Sequence, residues 1–483
     1  MALNPVTDGF LADLRALLPA ACFRPADARY LSEPRGLYQG QAGCVLAPGD
    51  VFEVALILGR CHAARVGVVP YGGGTGLVGA QVMPVGSGPA PVVLSLERMT
   101  KIRALDVGDN VMIVEAGAIL ADVQDAAAQA GRLFPLSLAS EGSCRIGGNL
   151  ATNAGGVQVL RYGNARDLCL GLEAVMPDGR IWHGLKRLYK DNTGYDLRDL
   201  LIGAEGTLGV ITAAALRLFP RPAQHLAAFL QIRDPGAALA LLMRCQDRLP
   251  GLVSGFELID RTGFDFLAEA LPDLRRPFAD PGKWMLLVEA SGGTGFPLEK
   301  AMHEVLADAI EVGLVGEALV AQNEAQRQAF WAVRESIPEA NRRIGAISSH
   351  DISVPLGRLP EMIAAGQACI ARFGDLRINC FGHVGDGNLH YNVYPPKGQR
   401  RDRYADLREP IKQAVHDLVH GFGGSISAEH GIGRLKRADL LRYGDPAKLA
   451  MMRAIKTALD PVGIMNPGAV LAEDEGARPD PAT

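Results

Sequence analysis

Tyr71-Gly72-Gly73-Gly74-Thr75-Gly76-Leu77-Val78-Gly79-Ala80 follows directly on Val66–Pro70, a run whose unbroken apolar character reads as a buried strand. It contains G-x-G-x-x-G at Gly74, Gly76 and Gly79, and Glu97 ends the next strand-like run, Val92–Leu96. A dinucleotide fold of the Rossmann kind needs a crossover helix between those strands. The only room for it is Gln81–Pro91, which holds Pro84, Gly86, Gly88, Pro89 and Pro91. Proline removes a helical N–H and clashes with the preceding turn, so the Rossmann reading fails. What remains is a nest of backbone N–H groups after a strand, able to hold a pyrophosphate. A purely structural glycine turn would use the same residues.

Two more small-residue runs lie downstream. Glu141-Gly142-Ser143-Cys144-Arg145-Ile146-Gly147-Gly148-Asn149-Leu150-Ala151-Thr152-Asn153-Ala154-Gly155-Gly156 has five glycines and two asparagines in sixteen residues, which lets backbone approach something flat and large. Gly203-Ala204-Glu205-Gly206-Thr207-Leu208-Gly209-Val210-Ile211-Thr212 leads into an alternating strand that ends at Pro220. No G-K-[ST] is present, so the set is not a P-loop.

The chain has 483 residues, 48% of them hydrophobic, enough for two or three cores. Its 49 basic and 53 acidic residues leave no footprint for nucleic acid, which points to a small-molecule partner. Eight scattered cysteines without a C-x-x-C pair read as reduced thiols. Phe10, Leu11, Leu14, Leu17 and Leu18 have helical period and no basic leader before them, and no apolar run is long enough to span a bilayer. A cytoplasmic location is the expectation.

Pro220 and Pro222 mark a boundary, giving units at 1–220, 221–425, 426–472 and a disordered acidic tail at 473–483. The second unit interleaves strands (Ala227–Ile232, Trp284–Ala290) with helices (Pro235–Arg248, Leu298–Val312), an α+β arrangement. In Asn323–Glu335 a helical stripe leaves Arg334 at its edge, and Pro338 is expected to kink or end the helix. Next, Phe381-Gly382-His383-Val384-Gly385-Asp386-Gly387-Asn388-Leu389-His390-Tyr391-Asn392 reads as strand, tight turn, strand, which brings His383 near His390. With Glu429-His430 further on, a divalent-metal site is one reading; histidines on a solvated turn are the commoner case for such a pair. His416 and His420, at i and i+4 in the helical stretch Arg408–His420, read as a surface pair. Pro446–Leu459 reads as a helix capped by Asp445.

Taken together, Pro70–Ala80, Glu141–Gly156, Asp191–Thr212, Asp351–Pro355, Gly382–Asn392, Ser427–Gly433 and Asn466–Gly468 resemble, in order, the FAD-dependent D-2-hydroxyacid dehydrogenases of the vanillyl-alcohol-oxidase type. The resemblance implies an FAD-binding domain of the PCMH type, an α+β cap domain, and a C-terminal segment that returns to the flavin. It implies noncovalent FAD held by Tyr71, Gly72, Gly73, Gly74, Thr75, Gly76 and Leu77, by Pro135, Ser140, Glu141 and Gly142, and by Gly147, Gly148, Asn149, Ala151, Thr152, Asn153 and Gly155. Glu205, Gly209, Ile211 and Asn466 complete that set. It further implies a divalent metal, zinc by type, on His383, His390 and Glu429, and His430 as catalytic base. Arg334, Asn392, His430 and position 349 would touch substrate. Many members carry Lys at that last position, where this chain has Ser349, and His350 is a candidate replacement.

The implied reaction oxidises D-2-hydroxyglutarate, with D-lactate as the alternative. The residues leave the electron acceptor open among an electron-transfer flavoprotein, a quinone and a cytochrome, and a homodimer is one reading of the assembly. A flavin-using transferase like the alkylglycerone-phosphate synthases is the competing class. The residues suit the oxidation. Three N and O ligands leave open positions for a hydroxyacid, imidazole can take the hydroxyl proton, and Arg334 offers a planar fork to a carboxylate.

Overall fold

The computed structural model describes residues 2–471, so the tail expected to be disordered lies outside the described residues. In the first half, Phe23–Arg24, Cys44–Leu46, Val92–Ser95 and Val68–Tyr71 form a four-stranded sheet in that order, the last three strands parallel. The helix Val51–Ala64 starts where Asp50 accepts the N–H groups of Phe52 and Glu53 at 2.9 Å, and stops at Arg65, whose φ is 56°. No helix occupies residues 81–91, as the prolines require. A second, antiparallel sheet has five strands: Ile102–Asp106, Val111–Glu115, Val210–Arg217, Cys169–Val175 and Ile181–Gly184. One apolar core joins both sheets and takes in Ile464 and Met465 from the C-terminal segment. The eight cysteines are free and all but Cys44 are buried.

The second half is built on one seven-stranded sheet. Its strands are β1 (Gln224–Ile232), β2 (Val253–Asp260), β3 (Trp284–Gly292), β4 (Val315–Val320), β5 (Asp351–Ser353), β6 (Arg377–His383) and β7 (Asn388–Tyr394). They lie in the order β4-β1-β3-β2-β6-β7-β5. Side chains alternate between two cores: Leu226, Ala228 and Leu230 of β1 face one, Ala227 and Phe229 the other. That double burial is why β1 and β3 read as continuous apolar runs.

The helix Glu324–Ile344 packs on the second core through Phe330, Val333, Ile337 and Ala340. Of the two outcomes expected at Pro338, an end is not found: the helix runs six residues beyond it. Proline leaves the Arg334 carbonyl without its helical N–H. Burial of Ala340 and Asn341, with Asn341 Oδ1 accepting from Asn379 Nδ2 at 2.8 Å, holds the last turns in place. His416 is likewise not a surface residue. It is 2% exposed and sits between His350 Nδ1 (3.4 Å) and Asp439 Oδ1 (3.2 Å). The i, i+4 spacing identifies a common helix face without saying whether that face meets solvent or sheet.

Candidate active site

β6 and β7 form the expected hairpin, joined by the turn Val384–Asp386 and Gly387. Gly387 has φ 83°, and a Cβ there would lie 2.4 Å from the Val354 carbonyl, so the turn requires glycine. In this sheet Glu257 lies opposite His383, Phe381 opposite His390, and His390 opposite Asp351. Directly opposed residues share a face, and Phe381 and His383 are two apart. Glu257, His383, His390 and Asp351 therefore project from four adjacent strands on the same side, and Asn392 joins them by the same period.

Glu429 and His430 are brought over this face by a segment tied at both ends. Asp351 Oδ2 accepts the backbone N–H groups of Glu429 and His430, each at 2.9 Å. Glu205, itself at φ 50°, accepts from Ile432 N at 2.7 Å and Gly433 N at 2.9 Å. Arg434 N then donates to the Val78 carbonyl at 2.9 Å. The six residues Glu429–Arg434 thus connect the second sheet to the first glycine run.

One ligand atom from each of His383, His390 and Glu429 lies within 4.8 Å of the others, with His383 Nε2 and Glu429 Oε1 3.4 Å apart. Neighbouring ligands of a tetrahedral zinc stand roughly 3.3 Å apart, so the donors fit such an ion. Asp351, Glu429 and His430 form a second, overlapping trio. His430 Nδ1 is 3.4 Å from Asp351 Oδ2, which leaves Nε2 as the outward nitrogen.

The charges here are strongly interdependent. Burial pushes His390 down to about 3 and His430 down to about 4, so both rings are neutral at pH 7. Burial also lifts Glu429 to about 7 against the pull of His383. It would lift Glu257 as well, but His383 and Arg334 outweigh it and hold that carboxyl at about 2. His383 is held up at about 9, the carboxylates of Glu257 and Glu429 overriding its burial.

Arg334 is buried beneath the site rather than solvating its helix edge. Its Nε donates to Glu257 Oε2 at 2.7 Å, and its guanidinium carbon lies 4.9 Å from the Phe381 ring centroid. Asn392 is buried, its Oδ1 accepting from His350 N at 3.0 Å. Ser349 is exposed. His350 cannot stand in for a cation at position 349, because strand alternation turns its ring to the opposite side, where it is 2% exposed against His416.

The glycine runs meet along one groove. Tyr71, Gly72, Gly73, Gly74, Thr75 and Gly76 line it with Gly147, Gly148, Asn149, Ala151 and Thr152, and Glu205, Gly209, Ile211 and Asn466 close it. The runs touch where glycine is obligatory: a Cβ on Gly73 would stand 2.3 Å from the Ser143 carbonyl oxygen. Asn149 Nδ2 is buried there with only the Cys144 thiol beside it, a donor available to a ligand. A groove walled by backbone and closed by apolar Val78, Leu96 and Leu201 suits a large flat cofactor carrying phosphates.

The remaining expected contacts do not line this groove. Leu77 is half-buried, Pro135 is buried, Ser140 accepts the Cys144 N–H, and Glu141 and Gly142 are exposed. Asn153 bonds Arg166 N, and Gly155 faces Glu429, its Cβ position being 3.6 Å from Oε1. Gln81 and Arg145 line the groove without having been expected to. The two buried carboxylates Glu257 and Asp351 were also without an assigned role.

Two glycine-lined sheets carrying a groove, with a capping sheet that bears the polar cluster, define a flavoprotein of the vanillyl-alcohol-oxidase type. Residues 42–184 match the family described as FAD binding domain, and residues 221–470 the FAD linked oxidases, C-terminal domain. The solved structure of p-cresol methylhydroxylase with substrate bound superposes with a TM-score of 0.75 over 98% of this chain and 99% of that one, at 15% identity, a likeness of fold alone. The mitochondrial D-2-hydroxyglutarate dehydrogenase of Arabidopsis thaliana is 36% identical over 90% of this chain and 76% of its own length. The D-2-hydroxyglutarate dehydrogenase of Xanthomonas citri pv. viticola is 34% identical over 99% of this chain and all of its own.

The chain belongs to the FAD-dependent D-2-hydroxyacid dehydrogenases, oxidoreductases that act on CH–OH groups. Its cofactor is FAD. The expected cytoplasmic location is corrected by these relatives, since the Arabidopsis protein is named as mitochondrial. Among the described residues no helix is long and apolar enough to cross a membrane.

Proposed function

We propose that the chain oxidises D-2-hydroxyglutarate to 2-oxoglutarate, with a divalent metal, zinc by ligand type, on His383, His390 and Glu429 and with His430 as base. The observation that carries this reading is the convergence of three N and O donors beside a neutral histidine, on a segment pinned to the groove through Glu205. FAD, held along the glycine groove, supplies the two-electron acceptor for the C2 hydride. A metal on the three donors supplies Lewis acidity that lowers the pKa of the substrate hydroxyl.

The protein's own groups do the rest. His430 presents Nε2 to the hydroxyl proton, while Asp351 at Nδ1 sets the tautomer and stabilises the imidazolium that forms. Arg334 takes a substrate carboxylate through its terminal nitrogens, and Asn392 contributes its amide NH2 from the same face. The second carboxylate of a diacid needs another cation, since position 349 is Ser.

Anaerobic mixing of the metal-loaded protein with D-2-hydroxyglutarate, D-lactate and D-malate tests the proposal. The flavin should bleach fastest with D-2-hydroxyglutarate, and chelation should abolish bleaching. An oxidised flavin with all three would point to the transferase class, and full activity after chelation would remove the metal.

A further inference from the structure

Glu257 belongs to no glycine run and no histidine motif, yet it is fully buried in the site. Each of its oxygens is committed to a different partner: Oε1 lies 2.6 Å from His383 Nδ1, and Oε2 accepts from Arg334 Nε at 2.7 Å. We propose that Glu257 is a positioning residue that sets the metal-facing nitrogen of His383 and the substrate-facing fork of Arg334 together, so that metal affinity and substrate affinity depend on one buried side chain. The inference rests on the metal and substrate roles proposed above for those two partners.

The geometry assigns the two effects separately. A carboxylate at Nδ1 keeps a proton on that nitrogen, so the proton given up on metal binding is the one on Nε2, which faces Glu429 Oε1 3.4 Å away. At Arg334 the bond uses Nε alone, and Phe381 stacks against the guanidinium plane. Among the described residues neither terminal nitrogen takes a hydrogen-bond partner, which leaves a flat, pre-set pair of donors for a ligand. Glu257 holds both because it sits on β2 directly opposite His383, while the helix Glu324–Ile344 lays Arg334 over the same face.

The competing account is a buried ion triad that serves folding alone, and such triads exist. Glu257→Gln separates the two. The amide has the same shape but one acceptor: with its oxygen on Arg334 its NH2 meets His383 Nδ1 and favours the tautomer that cannot ligate through Nε2. With its oxygen on His383, it opposes the Arg334 Nε–H. Purified, FAD-loaded, full-length E257Q should bind Zn2+ about 10- to 100-fold more weakly than wild type by calorimetric titration of the metal-stripped protein. Its KM for D-2-hydroxyglutarate should rise as well, with FAD content unchanged.

If E257Q does not fold, Glu257→Asp keeps the buried charge but is a methylene too short to span both partners, and the same paired losses are expected. Wild-type Zn2+ affinity and KM in either folded variant overturn the proposal, whatever happens to the melting temperature. Failure of the metal reading is distinguishable: wild type and His383→Ala would then bind Zn2+ alike, which removes the metal half of the proposal too, and KM alone decides the Arg334 half.

Discussion

Asp351→Asn is the perturbation that most directly probes how the proton leaves the substrate. The carboxylate is 2% exposed; Oδ2 receives two backbone N–H groups, Oδ1 receives Asn388 Nδ2 at 2.9 Å, and His430 Nδ1 stands 3.4 Å away. Burial opposes its ionisation, but His430 and His390, which are charged in the acid range where this carboxyl titrates, together with Lys436 and the Glu429 N–H, more than compensate, and its pKa lies below the usual carboxylate range. When His430 gains a proton, the imidazolium faces a full negative charge at that distance, worth about 5 kcal/mol at an effective dielectric of about 20. An amide dipole recovers part of this, so the rate of flavin reduction should fall roughly 100- to 1,000-fold at about 1.4 kcal/mol per decade. KM should change far less, because the charge develops only during proton transfer. The assay is anaerobic stopped-flow bleaching by D-2-hydroxyglutarate, with FAD and metal content measured on the same sample. A D351N protein that retains both groups and reduces its flavin within about threefold of wild type would refute the Asp351–His430 pairing as a catalytic device.

Two further outcomes follow from features away from the hairpin. Gly73→Ala would place a methyl 2.3 Å from the Ser143 carbonyl oxygen and 2.9 Å from Cys144 Cα, forcing the two glycine runs apart; the purified variant should carry substoichiometric FAD, read from its absorbance ratio, and full loading would show that the groove is not the flavin site. Burial holds His350 well below its ordinary 6.5, so the folded chain keeps the ring neutral where the unfolded chain takes up a proton. Stability is therefore lost as pH falls below about 6.5, by up to ~1.4 kcal/mol per pH unit, and does not change on this account above it. Melting temperatures of wild type and His350→Gln across that range should show a shallower acid slope in the variant, and equal slopes would count against a neutral buried ring.

Much of this was legible because the relevant constraints are local. A glycine run after a strand exposes backbone wherever it lies, prolines at 84, 89 and 91 exclude a helix by themselves, and the period of two puts His390 and Asn392 on one face. The carboxylates that organise the site were not legible. Glu257 meets His383 across 126 residues, and Asp351 meets His430 across 79, through strand neighbours that no local pattern encodes. A lone Glu between Phe256 and Leu258 in a fully buried strand was the available signal, and it marks a buried charge without naming its partner. His416 was misjudged, and the helix end expected as one outcome at Pro338 did not occur, for a related reason. Helical spacing and proline's missing donor are local facts, whereas the packing that buries one and carries the helix past the other is tertiary.

In the proposed reaction the C2 hydrogen of a D-2-hydroxyacid passes as hydride to the flavin while His430 takes the hydroxyl proton. Single-turnover flavin reduction by D-2-hydroxyglutarate, protiated or deuterated at C2, measures that step directly. Full bleaching is expected, several-fold slower with deuterium, with severe slowing for both substrates in His430→Asn. Bleaching that is indifferent to C2 deuteration and to His430, or a flavin that stays oxidised, would contradict it.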